Sequence, residues 1–156
     1  SRYSVNIRKE YKISSSDAIR IRVFEGQVTL TDSLPNQKLI YLGGTGTLRG
    51  YDYKEFSGTT VTMLNLEYLM KINKKFGLTI FIDTGACWNG HDKNILSMNY
   101  KLARFKHSAG FGITEFGGDA FWSLLIANRL SGEKSNSWSF IVQFNNFLDK
   151  DNFIPN

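Results

Sequence analysis

The chain has 156 residues, a length that suits about one domain. Nineteen Lys and Arg against fourteen Asp and Glu give a net charge of +5, and 42% of the residues are hydrophobic. With 14% aromatic residues the chain is too apolar to be disordered; one cysteine, Cys87, excludes an intramolecular disulfide framework and a Cys-only zinc site; and no apolar run approaches the roughly 18 to 20 residues of a membrane-spanning helix.

The chain opens Ser1-Arg2-Tyr3, without Met and without an apolar leader, and is read as a processed product or part of a longer protein. Arg2 to Ile13 and Ile19 to Thr31 are expected as two strands with weak alternation, joined by a turn at Ser14 to Asp17. A long segment follows from Leu34 to Ser57. From Thr60 to Met70 the alternation is clear: Thr62, Leu64, Leu66, Tyr68 and Met70 share one parity, and Met63, Asn65, Glu67 and Leu69 the other. Lys71 to Lys75 is the densest basic run and reads as a solvated turn, not as a nucleic-acid patch. Leu78 to Cys87 sets Leu78, Ile80 and Ile82 against Thr79, Phe81, Asp83 and Gly85. A second long segment spans Trp88 to Lys106. His107 to Phe116 sets Ala109, Phe111 and Ile113 against Ser108, Gly110, Gly112 and Thr114. Ala120 to Leu130 groups Trp122, Leu124 and Ile126 against Ser123, Ala127 and Arg129. Ser137 to Phe147 groups Trp138, Phe140, Val142 and Phe144. The chain is therefore all-β, with about seven antiparallel strands of roughly ten residues, longer than the usual five or six.

Two architectures share this pattern. In a soluble barrel or sandwich the apolar parity faces a core. In a transmembrane barrel it faces lipid, the other parity faces a lumen, and each strand takes roughly 9 to 11 residues. Strand length favours the membrane. So does the character of the polar parity, which is more often small and uncharged than Lys or Glu. Aromatics near strand ends (Tyr68, Trp88, Phe116, Trp122, Trp138 and Phe147) resemble interfacial girdles.

The segment Leu42-Gly43-Gly44-Thr45-Gly46-Thr47-Leu48-Arg49-Gly50-Tyr51 is the least ordinary. Its glycine spacing fits neither dinucleotide nor P-loop motifs, and no amphipathic helix follows. Arg49 stands among small and apolar neighbours, and an arginine held inside a structure needs a carboxylate. Glu67 and Asp83 lie on the polar parity of consecutive strands that would pair, so both could converge on one guanidinium. Three independent surface charges are the competing reading.

These residues resemble a family. Leu-Gly-Gly-x-Gly-x-Leu-Arg-Gly-Tyr at 42–51, with Leu48, Arg49, Gly50 and Tyr51 as its heart and Gly43 and Gly44 ahead of it, looks like the loop motif of the Omp85 (bacterial surface antigen D15) superfamily. Asn65-Leu66-Glu67-Tyr68 resembles that family's next strand, Phe81-Ile82-Asp83-Thr84-Gly85 its F-x-D-x-G strand, and Ser108-Ala109-Gly110-Phe111-Gly112 its S-x-G-x-G strand. Ala127 to Leu130 and Trp138 to Phe147 are similar to its last two strands. The resemblance covers residues 35 to 147 in family order.

It implies an outer-membrane barrel of about sixteen strands, of which this chain would be the C-terminal half. The Arg loop would fold into the lumen, and Arg49 would meet Glu67 and Asp83. Leu34 to Ser57 and Trp88 to Lys106 would be extracellular; the turns near Asn73 to Phe76 and Gly117 to Asp119 would be periplasmic. Phe147 departs from the pattern, since family members commonly end at the aromatic that closes the last strand. A short barrel closing with about eight strands is the alternative. The implied function is non-enzymatic assembly, insertion or translocation of proteins at the outer membrane of a Gram-negative bacterium. Its partners would be the bilayer, substrate polypeptides, and further strands or periplasmic domains. The terminal strand, with Trp138, Phe140, Phe144 and Phe147, would be an edge able to template another strand.

Competing classes are a membrane anchor for a fused enzyme such as a patatin-like lipase, and a soluble ligand-binding barrel. A charge-neutralising Arg49 argues against acid–base work by Glu67 and Asp83, so no catalytic residue is assigned. His91 and His107 with Asp92 read as exposed loop residues, not as a metal site. Cys87 reads as a small packing residue. Met63, Met70 and Met98 have no cofactor spacing, and no cofactor is expected.

Overall fold

A computed structural model describes residues 2–28, 39–89, 104–115 and 120–146. Among the described residues nine strands follow in order: β1 (Arg2–Lys12), β2 (Asp17–Val28), β3 (Ile40–Leu42), β4 (Phe56–Gly58), β5 (Thr60–Lys71), β6 (Phe76–Trp88), β7 (Lys106–Glu115), β8 (Ala120–Arg129) and β9 (Trp138–Asn146). Seven form one antiparallel sheet in the order β1-β2-β5-β6-β7-β8-β9, and β3 and β4 pair separately. The long strands match the expected ones within two residues at each end, except that the expected end of the second strand at Thr31 lies outside the described residues. The β3–β4 hairpin was not expected: three residues in each arm are too few to show a period of two.

Neighbouring strands pair in a meander, so opposite residues share a face. One face is apolar and open: Ile80, Phe111, Ile126 and Phe140 lie in successive register across β6 to β9 and are all exposed. The alternation of β1 is stronger than expected once Lys9 is set aside, with Tyr3, Val5, Ile7 and Tyr11 outward. At the short-turn end the outward ring of Phe76 meets Trp122 edge-on, and Trp122 pairs with Phe144. Trp88 corrects the girdle reading: it is 8% exposed and packs edge-to-face on Phe105 rather than facing outward freely. Phe116 and Phe147 lie outside the described residues.

The other face carries the 39–59 segment. Beneath it Phe24, Val28, Val61, Met63 and Cys87 pack with Ile40, Leu42, Leu48 and Tyr51 of the segment. The inward parity is thus not simply small and polar. Covering a sheet with a folded loop requires an apolar core there, and burial of each large side chain contributes roughly 1.5–3 kcal/mol. Toward the other edge Phe81, Leu125, Ala127 and Ile141 form a second cluster. Deeper still, the hydroxyls of Thr79, Thr114 and Ser123 chain together at 2.7 and 3.0 Å, which satisfies polar groups that would otherwise be buried alone.

The open apolar face makes a prediction. Phe111→Arg should cost about 2–4 kcal/mol if that face meets the hydrocarbon midplane, read as a lower urea midpoint for refolding into lipid vesicles. A cost below that of the same change at exposed Tyr53, in the loop segment, would contradict a lipid-facing surface.

Candidate functional site

The site forms where the loop crosses the sheet. Antiparallel register places Arg8, Arg22, Asn65, Asp83, Ser108 and Arg129 in one inward row across β1, β2, β5, β6, β7 and β8. The adjacent inward row contains Glu10, Arg20, Glu67, Phe81, Gly110, Ala127 and Ser139. The loop tip lies over both.

The tip holds its own shape first. Gly44 N–H donates to the carbonyls of Leu48 and Tyr51, and Thr47 N–H donates to Gly44. Gly43 N–H donates to Thr47 Oγ1 at 2.8 Å. Gly43, Gly44 and Gly50 all have positive φ. At Gly43 (φ 116°) the requirement is double, since a β-carbon would also overlap the Asp52 carbonyl oxygen.

Arg49 is 4% exposed and Asp83 is fully buried. Arg49 Nε donates to Asp83 Oδ2 at 2.8 Å and an Nη to Oδ1 at 2.7 Å, a bidentate fork. The Arg49 backbone N–H adds a third bond to Asp83 Oδ2 at 3.0 Å. The other Nη donates to Glu67 Oε1. The guanidinium lies 3.7 Å from the centroid of the Phe81 ring, a cation–π contact that is stronger when dry. Burial alone would lower the Arg49 pKa; the hydrogen bonds and charges of Asp83 and Glu67 outweigh it and raise the pKa above its ordinary value. Arg49, Glu67, Asp83 and Phe81 therefore meet at one point. Gly110 and Gly112 lie beside Phe81 and Leu125, where β-carbons would collide with them. Gly85 faces Leu42 and Leu48.

Three further residues complete the site. Asn65 Nδ2 donates to the Thr47 carbonyl at 2.7 Å and to Asp83 Oδ1 at 2.8 Å. Arg22 donates to the Gly46 carbonyl at 2.7 Å and to Asn6 Oδ1 at 3.1 Å. Arg129 reaches the loop from the opposite side: its Nε donates to the Gly50 carbonyl at 2.6 Å, its other nitrogens pair with Asp52 at 3.1 Å and Glu55 at 3.2 Å, and it sits 4.9 Å from the Tyr51 ring centroid. Alternation and motif spacing in the sequence do not point to these roles. A signal existed for Arg129: an inward arginine at a strand end among small residues needs acidic partners, and Asp52 and Glu55 were available.

Tyr51 ties the loop to the β7 and β8 ends. Its hydroxyl lies 2.8 Å from the His107 carbonyl, 2.9 Å from the Ser131 carbonyl and 3.1 Å from Ser131 Oγ. Tyr51→Phe is expected to cost about 1 kcal/mol, the net value of a buried hydrogen bond. It should also speed protease cleavage at Lys54; unchanged cleavage would show that the tie does not hold the loop.

The remaining residues of interest lie apart. His107 stands on β7, on the outward face, with Nδ1 2.9 Å from Thr84 Oγ1. His91, Asp92 and Met98 lie outside the described residues. Among the described residues no group of three His, Cys, Asp or Glu side chains is placed to hold a metal ion. Trp138, Phe140 and Phe144 are exposed on β9, away from the loop. Both site carboxylates are ion-paired to one arginine, an arrangement that suits bracing more than proton transfer.

A family model described as the Omp85 superfamily domain matches residues 1–115. The solved structure of CdiB from Acinetobacter baumannii aligns with a TM-score of 0.67 and 15% identity, covering 93% of this chain and 27% of that one. No curated protein matches the chain in sequence. The structural likeness shows the fold, that of an antiparallel transmembrane barrel whose sheet is open between β1 and β9 among the described residues. The family match takes in well over half of the chain, and the chain belongs to the Omp85 superfamily.

Proposed function

We propose that this chain forms part of an outer-membrane barrel that assembles, inserts or translocates other polypeptides, and that the Arg49 loop is an internal brace of its lumen. The observation that carries the reading is the loop tip. It is held by side chains of β2, β5, β6 and β8 on one face of a sheet whose other face is apolar and open. A wall built this way presents lipid-compatible side chains outward and a braced, polar surface inward. Family membership and the barrel fold support it.

In this reading the chain itself does no covalent chemistry. Glu67 and Asp83 position the loop through Arg49. The bacterial outer membrane is the expected location, with substrate polypeptides and further strands or periplasmic domains as partners.

The test is genetic and proteomic. Deleting the gene in its native bacterium should remove one or more polypeptides from the outer-membrane or secreted fraction. The wild-type gene should restore them, and Arg49→Ala should restore them poorly. An unchanged outer-membrane and secreted proteome would sink the reading. Loss of a cell-surface enzymatic activity, with every other polypeptide in place, would support an anchor barrel instead.

A further inference from the structure

Two adjacent turns at the short-turn end of the sheet share one pattern. β1 ends at Lys12 and is followed by Ile13; β5 ends at Lys71 and is followed by Ile72. Ile13 is 58% exposed and Ile72 62% exposed, and each continues the outward parity of its strand, after Tyr11 and Met70. The turns touch, since the Lys71 N–H donates to the Ser16 carbonyl at 2.8 Å. Turns that face water favour Gly, Pro, Asn, Asp and Ser; here each carries a bare isoleucine at its outward corner.

Each turn is held in shape from within. Ser14 Oγ accepts the N–H groups of Ser16 and Asp17 at 3.1 and 3.0 Å, and Asn73 Oδ1 accepts those of Lys75 and Phe76, both at 2.8 Å. Lys74 and Lys75 are exposed beside Ile72. Asp17, the carboxylate of the first turn, is taken up by the Ser14 hydroxyl at 2.9 Å. Lys9 adds a cation from the outward face, where it stands in register with Ile21, Leu66 and Ile82. A lysine on a lipid-facing strand is costly at the midplane and much less so near an interface, and its stem can carry the ammonium toward the nearer headgroups. Lys9 Nζ lies 5.0 Å from the ring centroid of Tyr11, the next outward residue toward the turn. The same end of β7 bears an acid instead, Glu115.

We propose that these paired turns form a binding surface for anionic phospholipids. Lys74 and Lys75 meet the headgroup phosphates, Lys9 reaches the same layer from the lipid side, and Ile13 and Ile72 enter the acyl boundary beneath it. Cations and exposed apolar side chains adjoin here at the border of the open apolar face, a combination that fits a negatively charged lipid better than a free phosphate. Each lysine near such a surface strengthens association about fivefold. The surface sets the depth of this edge of the wall and gathers anionic lipid around it. The inference rests on the outward face meeting lipid, which Phe111→Arg tests separately, and not on what the barrel handles.

The probe is acceptor-labelled phosphatidylglycerol in phosphatidylcholine vesicles, compared with acceptor-labelled phosphatidylcholine at the same mole fraction. The donor is a fluorophore on Ser15→Cys in the full chain, Cys87 being buried. Energy transfer should show phosphatidylglycerol enriched at the turns about fivefold or more, and the enrichment should fall as salt rises. Lys74→Gln/Lys75→Gln should lower it at least about fivefold, and Ile13→Ser/Ile72→Ser should lower it as well. Lys134→Gln, at the long-loop end, should leave it unchanged, and every variant should keep its heat-modifiable mobility. Equal transfer to the two lipids overturns the surface. So does an equal fall with Lys134→Gln, which would mark an effect of net charge, or indifference to the isoleucines, which would leave only diffuse attraction.

Discussion

Asp83→Ala is expected to destabilise the folded chain by about 3–5 kcal/mol, the usual cost of removing one partner from a buried ion pair. The site explains the size. Asp83 accepts four hydrogen bonds, three from Arg49 and one from Asn65, and has no exposed surface. Without it the Arg49 guanidinium stays buried with only Glu67 and the Phe81 ring for company. Glu67→Gln should cost much less: Glu67 is partly exposed and also lies 4.0 Å from Arg20. Urea midpoints of the refolded protein in micelles would separate the two. The double variant Arg49→Met/Asp83→Leu should recover part of the loss, because it removes both charges together. If Asp83→Ala costs no more than Glu67→Gln, Arg49 is not held as described.

Gly110→Val should be comparably severe. A β-carbon at Gly110 would run into the Ile126 carbonyl oxygen and the Phe81 ring. The first obstacle is backbone and cannot yield without breaking the β7–β8 ladder. The second is the ring on which the Arg49 guanidinium rests, so displacing it disturbs the ion-pair site from beneath. Overpacking costs typically about 1–3 kcal/mol and occasionally more; the backbone collision places this change at the upper end. The decisive measurement is loop accessibility. Gly110→Val should increase proteolysis at Lys54, whereas a cost confined to β7–β8 would leave that cleavage rate unchanged.

The legibility of the sequence varied with the physics. The long strands are readable because a period of two over ten or more residues is distinctive, and the faces expected for β6 and β7 are the observed ones residue by residue. Arg49, Glu67 and Asp83 were readable as a candidate set because a buried charge needs an opposite charge and strand pairing limits where that charge can stand. Asn65, Arg22 and Arg129 were not, because their partners are main-chain carbonyls and loop acids whose positions depend on how the tip folds. Phe24, Met63 and Phe81 on the inward face could not be told from lumenal side chains. They become core only when the loop lies on them. Trp88 looked like an interfacial aromatic by position, but its end of β6 is packed against Phe105.

The loop's ties have one more consequence, for the order of folding. They join residues 24, 34 and 79 positions apart in the chain, from Arg22 to Gly46, Arg49 to Asp83 and Gly50 to Arg129. The last can form only after β8 has taken its place, and contacts of such long separation are made late because the chain entropy they cost must be met first. The tip is therefore a splint applied to a sheet that is already paired. Interactions absent from the transition state act on the rate of unfolding and leave the rate of folding alone. Weakening Arg129 or Asp83 should shorten the lifetime of the finished wall and leave the speed at which its strands come together unchanged.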